Sequence, residues 1–212
     1  MSDLTGKMRA IVVNGADDYG IQMVDIPKPG PGEVLCRVHA CAICGSDVGL
    51  YEGHYHESKG WPAEYPIIFG HEWAGEVVAL GEGSEQFKVG DRVAGEAHSG
   101  CGLCENCRKG EYTLCLNYGK ANHRHYGFTV NGAYAEYEVY RENALTLMPD
   151  NVSYDEATMC DTAGVALHAN RVGNIGSDDI AVFYGPGPIG NTAMQLAKAK
   201  GAFTIMVGRR ER

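Results

Sequence analysis

Basic side chains are the first scarcity. Lysine and arginine number 18 against 27 aspartate and glutamate in 212 residues, for a formal charge of −9. A surface for nucleic acid or an anionic membrane needs clustered positive charge, so both are excluded as partners. No stretch approaches eighteen consecutive apolar residues, so nothing in the sequence reads as a membrane span. Residues 1–14 hold no apolar run of the length a secretory signal requires. Internal repeats and low-complexity tracts are absent as well. The expected location is therefore the cytoplasm, where the eight cysteines stay reduced and serve metals rather than disulfides.

Hydrophobic residues make up 44% of the chain and glycine contributes 29 positions, which fits strands joined by tight turns. The pattern predicts strands over residues 8–14 and 21–26, separated by a turn at Asp17-Asp18-Tyr19-Gly20. After the breaker cluster Pro27-Lys28-Pro29-Gly30-Pro31-Gly32, a third strand is expected over 33–42 and a short helix or turn after Cys44. Residues 53–66 read as a surface loop, 72–80 as a buried strand, 89–94 as a turn with a strand, and 133–148 as a return to strand. Beyond Pro149 the period changes. Ser153 and Glu156 stand in capping-box spacing, and Ala163, Leu167 and Val172 predict a helix ending at Gly173. A strand at 180–184, a helix at 189–200 stopped by Gly201 and a strand at 203–207 make one βαβ unit.

Cys101, Cys104, Cys107 and Cys115 follow C-x2-C-x2-C-x7-C spacing, which suits four thiolates closing on one tetrahedral zinc. Such a cage leaves no coordination position open, so this zinc is structural. A different set is spread along the chain. Ile43-Cys44-Gly45-Ser46-Asp47, Gly70-His71-Glu72 and Met159-Cys160-Asp161-Thr162 offer a thiolate, an imidazole and a carboxylate. Three such ligands leave a fourth zinc position for water or substrate. Cys36 and Cys41, on the third strand, read as small buried hydrophobes. Gly185-Pro186-Gly187-Pro188-Ile189-Gly190 is a G-x-G-x-x-G turn between a strand and a helix. Gly185 makes the turn, Gly187 lets the backbone approach a pyrophosphate and Gly190 allows close helix–strand packing. The helix start then presents free N–H groups to the phosphates. Where an acidic residue would hold the ribose hydroxyls of NAD, the chain has Gly208-Arg209-Arg210. Arginine pairs with a 2′-phosphate, so NADP is favoured over NAD; Glu211 is the alternative for NAD.

Taken in order, these motifs, with Val89-Gly90-Asp91-Arg92-Val93, resemble the medium-chain zinc-dependent alcohol dehydrogenases, in the branch of sorbitol, threonine and butanediol dehydrogenases. Gly95-Glu96-Ala97-His98 is similar to the threonine dehydrogenase group. The resemblance implies a mixed α/β architecture. A mostly β GroES-like catalytic domain occupies residues 1–152, with the structural zinc lobe at 98–118. Connecting helices and the start of a Rossmann doubly wound domain fill 153–212. It implies Cys44, His71 and Asp161 as catalytic-zinc ligands, with Cys160 the rival to Asp161 and Glu72 a neighbouring or exchangeable ligand. Ser46 would pass on the substrate proton, and Asp47 would brace the metal shell. The family's relay histidine, five residues after the zinc cysteine, is replaced by Gly49; His54, His56 and His98 are candidate substitutes. The expected function is hydride transfer between a polyol or other secondary alcohol and NAD(P), in a small-molecule enzyme whose full-length form is a homo-oligomer. Only part of the six-stranded nucleotide fold is expected here. The competing expectation is therefore a non-catalytic two-zinc fragment with uncovered apolar faces on its sheet. A nucleic-acid-binding zinc module is excluded by the acidic balance, and a zinc-free quinone reductase relative would lack these ligands.

Overall fold

The computed structural model describes residues 4–54, 64–120 and 122–209. His56, Arg210 and Glu211 lie outside the described residues. The chain divides into two compact units, Met1–Thr158 and Met159–Arg212.

In the first unit, alternation over Lys7–Gly15 (β1) buries Met8, Ala10 and Val12 on one face. β1 pairs antiparallel with Asp18–Asp25 (β2). The turn is tighter than the sequence suggested. Asp17 takes a left-handed conformation, φ 57°, which a short acidic side chain tolerates. The return strand therefore starts at Asp18 and includes Tyr19 and Gly20. Glu33–Ala42 (β3) is followed by a helix, Gly45–Tyr51 (α1). A two-residue strand, Ile67–Ile68 (β4), extends the first sheet to the order β2-β1-β4. Glu72–Leu80 (β5) runs antiparallel to β3, and Arg92–Gly95 (β6) runs antiparallel to β5.

Next come His98–Ser99 (β7), Glu105–Arg108 (α2) and Arg124–His125 (β8), with β7 paired to β8. The expected continuous strand over 133–148 is broken. Tyr137–Arg141 (β9) and Leu145–Leu147 (β10) are separated by a 3-10 turn at Glu142–Ala144. They lie on opposite edges of a five-stranded sheet ordered β10-β6-β5-β3-β9. Glu142 is buried in that turn, where its carboxylate accepts the backbone N–H of Gln86 at 2.9 Å; this anchors the corner. The core behind the sheet gathers Val34, Cys36, Trp73, Val77, Val93 and Tyr140. Cys36 is thus a core side chain, and burial, with Glu138 beside it, pushes its thiol far above the ordinary range. Tyr154–Ala157 (α3) begins at Ser153, whose capping box with Glu156 is complete.

In the second unit, Cys160–Val172 (α4) packs on Pro188–Ala199 (α5); buried Asn170 donates to the Ala193 carbonyl at 2.8 Å. Ile180–Tyr184 (β11) and Phe203–Val207 (β12) are parallel, with α5 between them in sequence. This is the βαβ unit. Ile180 and Phe203 are 71% and 66% exposed, so this sheet keeps uncovered apolar side chains among the described residues. No helix among the described residues is long and apolar enough to cross a membrane.

Candidate metal centres and nucleotide turn

The β3–β5 register pairs Ala42 with Glu72. Cys44, two residues past β3, therefore arrives beside His71, one residue before β5. Ligand atoms of Cys44, His71 and Glu72 all lie within 4.8 Å of one another. His71 and Glu72 are buried and Cys44 is half-buried. The approach to His71 depends on Gly70. Its φ is +92°, and a Cβ there would sit 2.7 Å from the Tyr134 ring. On the other side, Phe128 packs against the His71 ring at 4.7 Å between centroids.

Asp47 holds this corner together. Its Oδ2 accepts the Cys44 backbone N–H at 2.8 Å and the Tyr134 hydroxyl at 2.8 Å. Its Oδ1 stands 3.6 Å from His71 Nδ1. Asp47 is only 4% exposed, so the two hydrogen bonds to Oδ2 take the place of hydration at that oxygen. Burial, reinforced by Asp47, raises the Tyr134 phenol well above its ordinary value and keeps it a donor. Tyr134 was not recognised from sequence. It is 87 residues from Asp47, and nothing in a local pattern links the two. Ser46, in the first turn of α1, has a buried Oγ with no hydrogen-bond partner among the described residues. Gly49 is buried in the same helix, and His54 lies exposed just beyond it, 3.4 Å from Glu52. Asp161 is half-buried in the first turn of α4, in the second unit, and Cys160 beside it is exposed.

The other cysteines form a separate cluster. Sulfur atoms of Cys101, Cys104, Cys107 and Cys115 all lie within 4.8 Å of one another. Cys104 caps α2 and accepts the Cys107 N–H; Cys101 accepts from Asn117 Nδ2 at 3.2 Å and from the Leu103 and Cys104 amides. The Asn117 bond first, then those amides, draw the Cys101 thiol down to about 6, while burial pushes Cys107 up to about 12. The helix and 3-10 turn of this lobe bury none of their own residues, and the four sulfurs form its shared centre. Between the two clusters runs a ring stack: His98 lies 3.9 Å from His125, and His125 lies 4.0 Å from Phe128. Burial lowers His98 to about 4 and His125 to about 2, so both are neutral.

In the second unit, Gly185 has φ +101° and donates its N–H to the Val207 carbonyl at 2.9 Å. The glycine turn is thus tied to the end of β12, and Arg209 stands exposed two residues beyond that strand. A Cβ on Gly190 would fall 2.0 Å from the Gly185 carbonyl oxygen, so helix and turn meet backbone to backbone there. Gly187 caps α5 with open space beside it, and Pro188 occupies the first helical position, which needs no N–H. Ile189 is exposed.

A GroES-like sheet domain bearing a thiol–imidazole–carboxyl cluster, followed by a nucleotide-type βαβ unit, defines the zinc-dependent dehydrogenase class. The alcohol dehydrogenase GroES-like domain family matches residues 30–150. The chain belongs to the zinc-dependent medium-chain alcohol dehydrogenase family. It is 37% identical to a sorbitol dehydrogenase of Halalkalibacterium halodurans, over 95% of this chain and 56% of that protein. It is also 37% identical to an L-threonine 3-dehydrogenase of Pyrococcus furiosus, over 96% of this chain and 57% of that protein. A solved structure described as a zinc-binding dehydrogenase of Sinorhizobium meliloti, bound to NADP, superposes with a TM-score of 0.85 at 29% identity, covering 97% of this chain and 57% of that one. The chain therefore spans little more than half the length of these relatives.

Proposed function

We propose that the protein supplies the zinc-binding half of an NADP-linked dehydrogenase acting on a polyol or other secondary alcohol. The observation that carries this reading is the convergence of Cys44, His71 and Glu72, with the Ser46 hydroxyl, two residues after Cys44, buried and without a hydrogen-bond partner among the described residues. A thiolate, an imidazole and a carboxylate are a fitting donor set for zinc, and Asp161 is proposed as a further carboxylate ligand. Bound zinc would supply Lewis acidity that makes an alcohol hydroxyl easier to deprotonate.

The chain's own residues do the rest. Asp47 keeps the His71 ring oriented and fixes the Cys44 backbone, so the ligands are set before any metal arrives. Ser46 Oγ accepts the substrate hydroxyl proton and hands its own onward. The four-cysteine lobe holds a second, structural zinc. Gly185, Gly187, Pro188, Ile189 and Gly190 form the pyrophosphate turn, and Arg209, with Arg210 next in sequence, pairs with the 2′-phosphate of NADP. The net charge of −9 accords with a small neutral substrate rather than a polyanion.

The test is alcohol-dependent reduction of NADP and NAD, followed by nicotinamide absorbance across a panel of polyols and hydroxy amino acids, with Cys44→Ser as comparator. Turnover lost in Cys44→Ser with the fold retained is expected; turnover retained would remove Cys44 from the chemistry. Two zincs with neither turnover nor nucleotide binding would instead support the second reading, a non-catalytic two-zinc chain. That reading is favoured by the uncovered apolar face of the β11–β12 sheet.

A further inference from the structure

The first unit contains a cavity of about 380 Å³ that shares no lining residue with Cys44, Ser46, His71 or Glu72. Its walls include Met8, Val12, Ile68 and Tyr126, all buried. Of the charged lining residues Asp25, Glu33, Arg124 and Glu138, Glu138 alone is buried. Glu138, 4% exposed, faces the cavity from β9. It pairs with Cys36 across the β3–β9 ladder, on the face that also carries Tyr140, so the pleat turns its carboxyl inward. Among the described residues that carboxyl makes no hydrogen bond and no ion pair. A buried acid with no partner is costly, and it calls for an explanation beyond packing.

The charges around the cavity indicate what would satisfy it. Asp25 and Glu33 join Glu138 as acids, against Arg124 as the single lining base among the described residues. Arg124 is already engaged, donating to the His123 carbonyl at 3.2 Å. Lys7 pairs with Asp25 at 2.9 Å, and Glu33 accepts the Gly30 N–H at 3.0 Å, so both outer acids have partners and Glu138 alone lacks one. We propose that this cavity binds a small organic cation of the primary alkylammonium class, with Glu138 as its counter-ion and the aliphatic walls holding its chain. In the empty protein, burial raises Glu138 well above its ordinary value and holds it protonated. When an ammonium ion enters, the O–H bond of Glu138 breaks and its proton passes to the buffer. The carboxylate left behind accepts charge-assisted hydrogen bonds from the ammonium. About one proton is therefore released per cation bound.

The test is calorimetric titration of the chain with n-hexylammonium chloride and, separately, with hexan-1-ol, in buffers of different ionisation enthalpy, on the wild type and Glu138→Gln. Saturable hexylammonium binding with about one proton released is expected, weakened at least about tenfold by Glu138→Gln, with hexanol indifferent to the substitution. Hexylammonium binding that is absent, or that matches hexanol and ignores the substitution, would overturn the proposal. Should Glu138→Gln fail to fold, the wild type still decides. The carboxyl carbon resonance of labelled Glu138 must move from its protonated to its ionised position as hexylammonium is added; a fixed resonance refutes the site.

Discussion

Tyr134→Phe removes one hydroxyl and leaves the ring that packs beneath β1 and β4. The lost contacts are the donation to Asp47 Oδ2 at 2.8 Å and a longer one to the Ala42 carbonyl at 3.2 Å. Asp47 is buried, so water cannot readily replace the donor. A hydrogen bond to a charged acceptor contributes about 1.5–3 kcal/mol. What remains on Asp47 is the Cys44 N–H and the approach to His71. If Asp47 sets the orientation of His71 and Cys44, the loss is felt by whatever those two ligands hold. A partner of this kind typically changes metal affinity about 10- to 100-fold, which matches the energy of the lost bond at about 1.4 kcal/mol per factor of ten. The assay is competition for zinc against a chelating dye, resolving two sites. The Cys44–His71 site should weaken by that factor, while the four-cysteine site keeps its affinity. Equal zinc affinity at the first site in both proteins, with the fold unchanged, would refute the idea that Asp47 and Tyr134 preorganise it.

Two other perturbations test separate parts of the account. Gly190→Ala should cost about 1–3 kcal/mol, because its Cβ meets the Gly185 carbonyl at 2.0 Å, and nucleotide binding should fall with it; thermal melting and NADP titration read both. His98 and His125 are neutral when folded, with values near 4 and 2, but take up protons near 6.5 once unfolded. The unfolded chain therefore binds more protons below about pH 6.5, and stability falls as pH drops from there towards 4. His98 alone accounts for up to about 3 kcal/mol by pH 4. Denaturant melts across that range should show the slope, and His98→Gln should flatten it; an unchanged slope would contradict the assignment.

Much of the fold was legible because its signals are local. The bounds of β3, β5, β11 and β12 follow from alternation or short apolar runs closed by glycine or proline. The grouping of four cysteines was legible for the same reason, since the whole set spans fifteen residues. Long-range register was not. Nothing in Ala133-to-Met148 announces that β9 and β10 leave for opposite sheet edges, because the break rests on Glu142 meeting Gln86, 56 residues away. Two-residue strands such as β4 are too short to carry a period. Nothing in the local sequence marks Glu138 as buried: it is a charged residue between Tyr137 and Val139, yet it shares the inner face with Tyr140. Of the candidate metal site, Cys44 and His71 announce themselves by motif, but Asp47's link to Tyr134 exists only once β3, β5 and the Gly70 turn are assembled.

The central claim is that Cys44 and His71 anchor a metal centre independent of the cysteine lobe, and zinc stoichiometry tests it most directly. Elemental analysis of the purified wild type should give two zincs per chain. Cys44→Ser should retain one, held by sulfur alone in its X-ray absorption spectrum, and Cys107→Ser should lose that sulfur-only signal while keeping the mixed nitrogen–sulfur one. A wild type that binds a single zinc, or a Cys44→Ser protein that still holds two, would contradict the account.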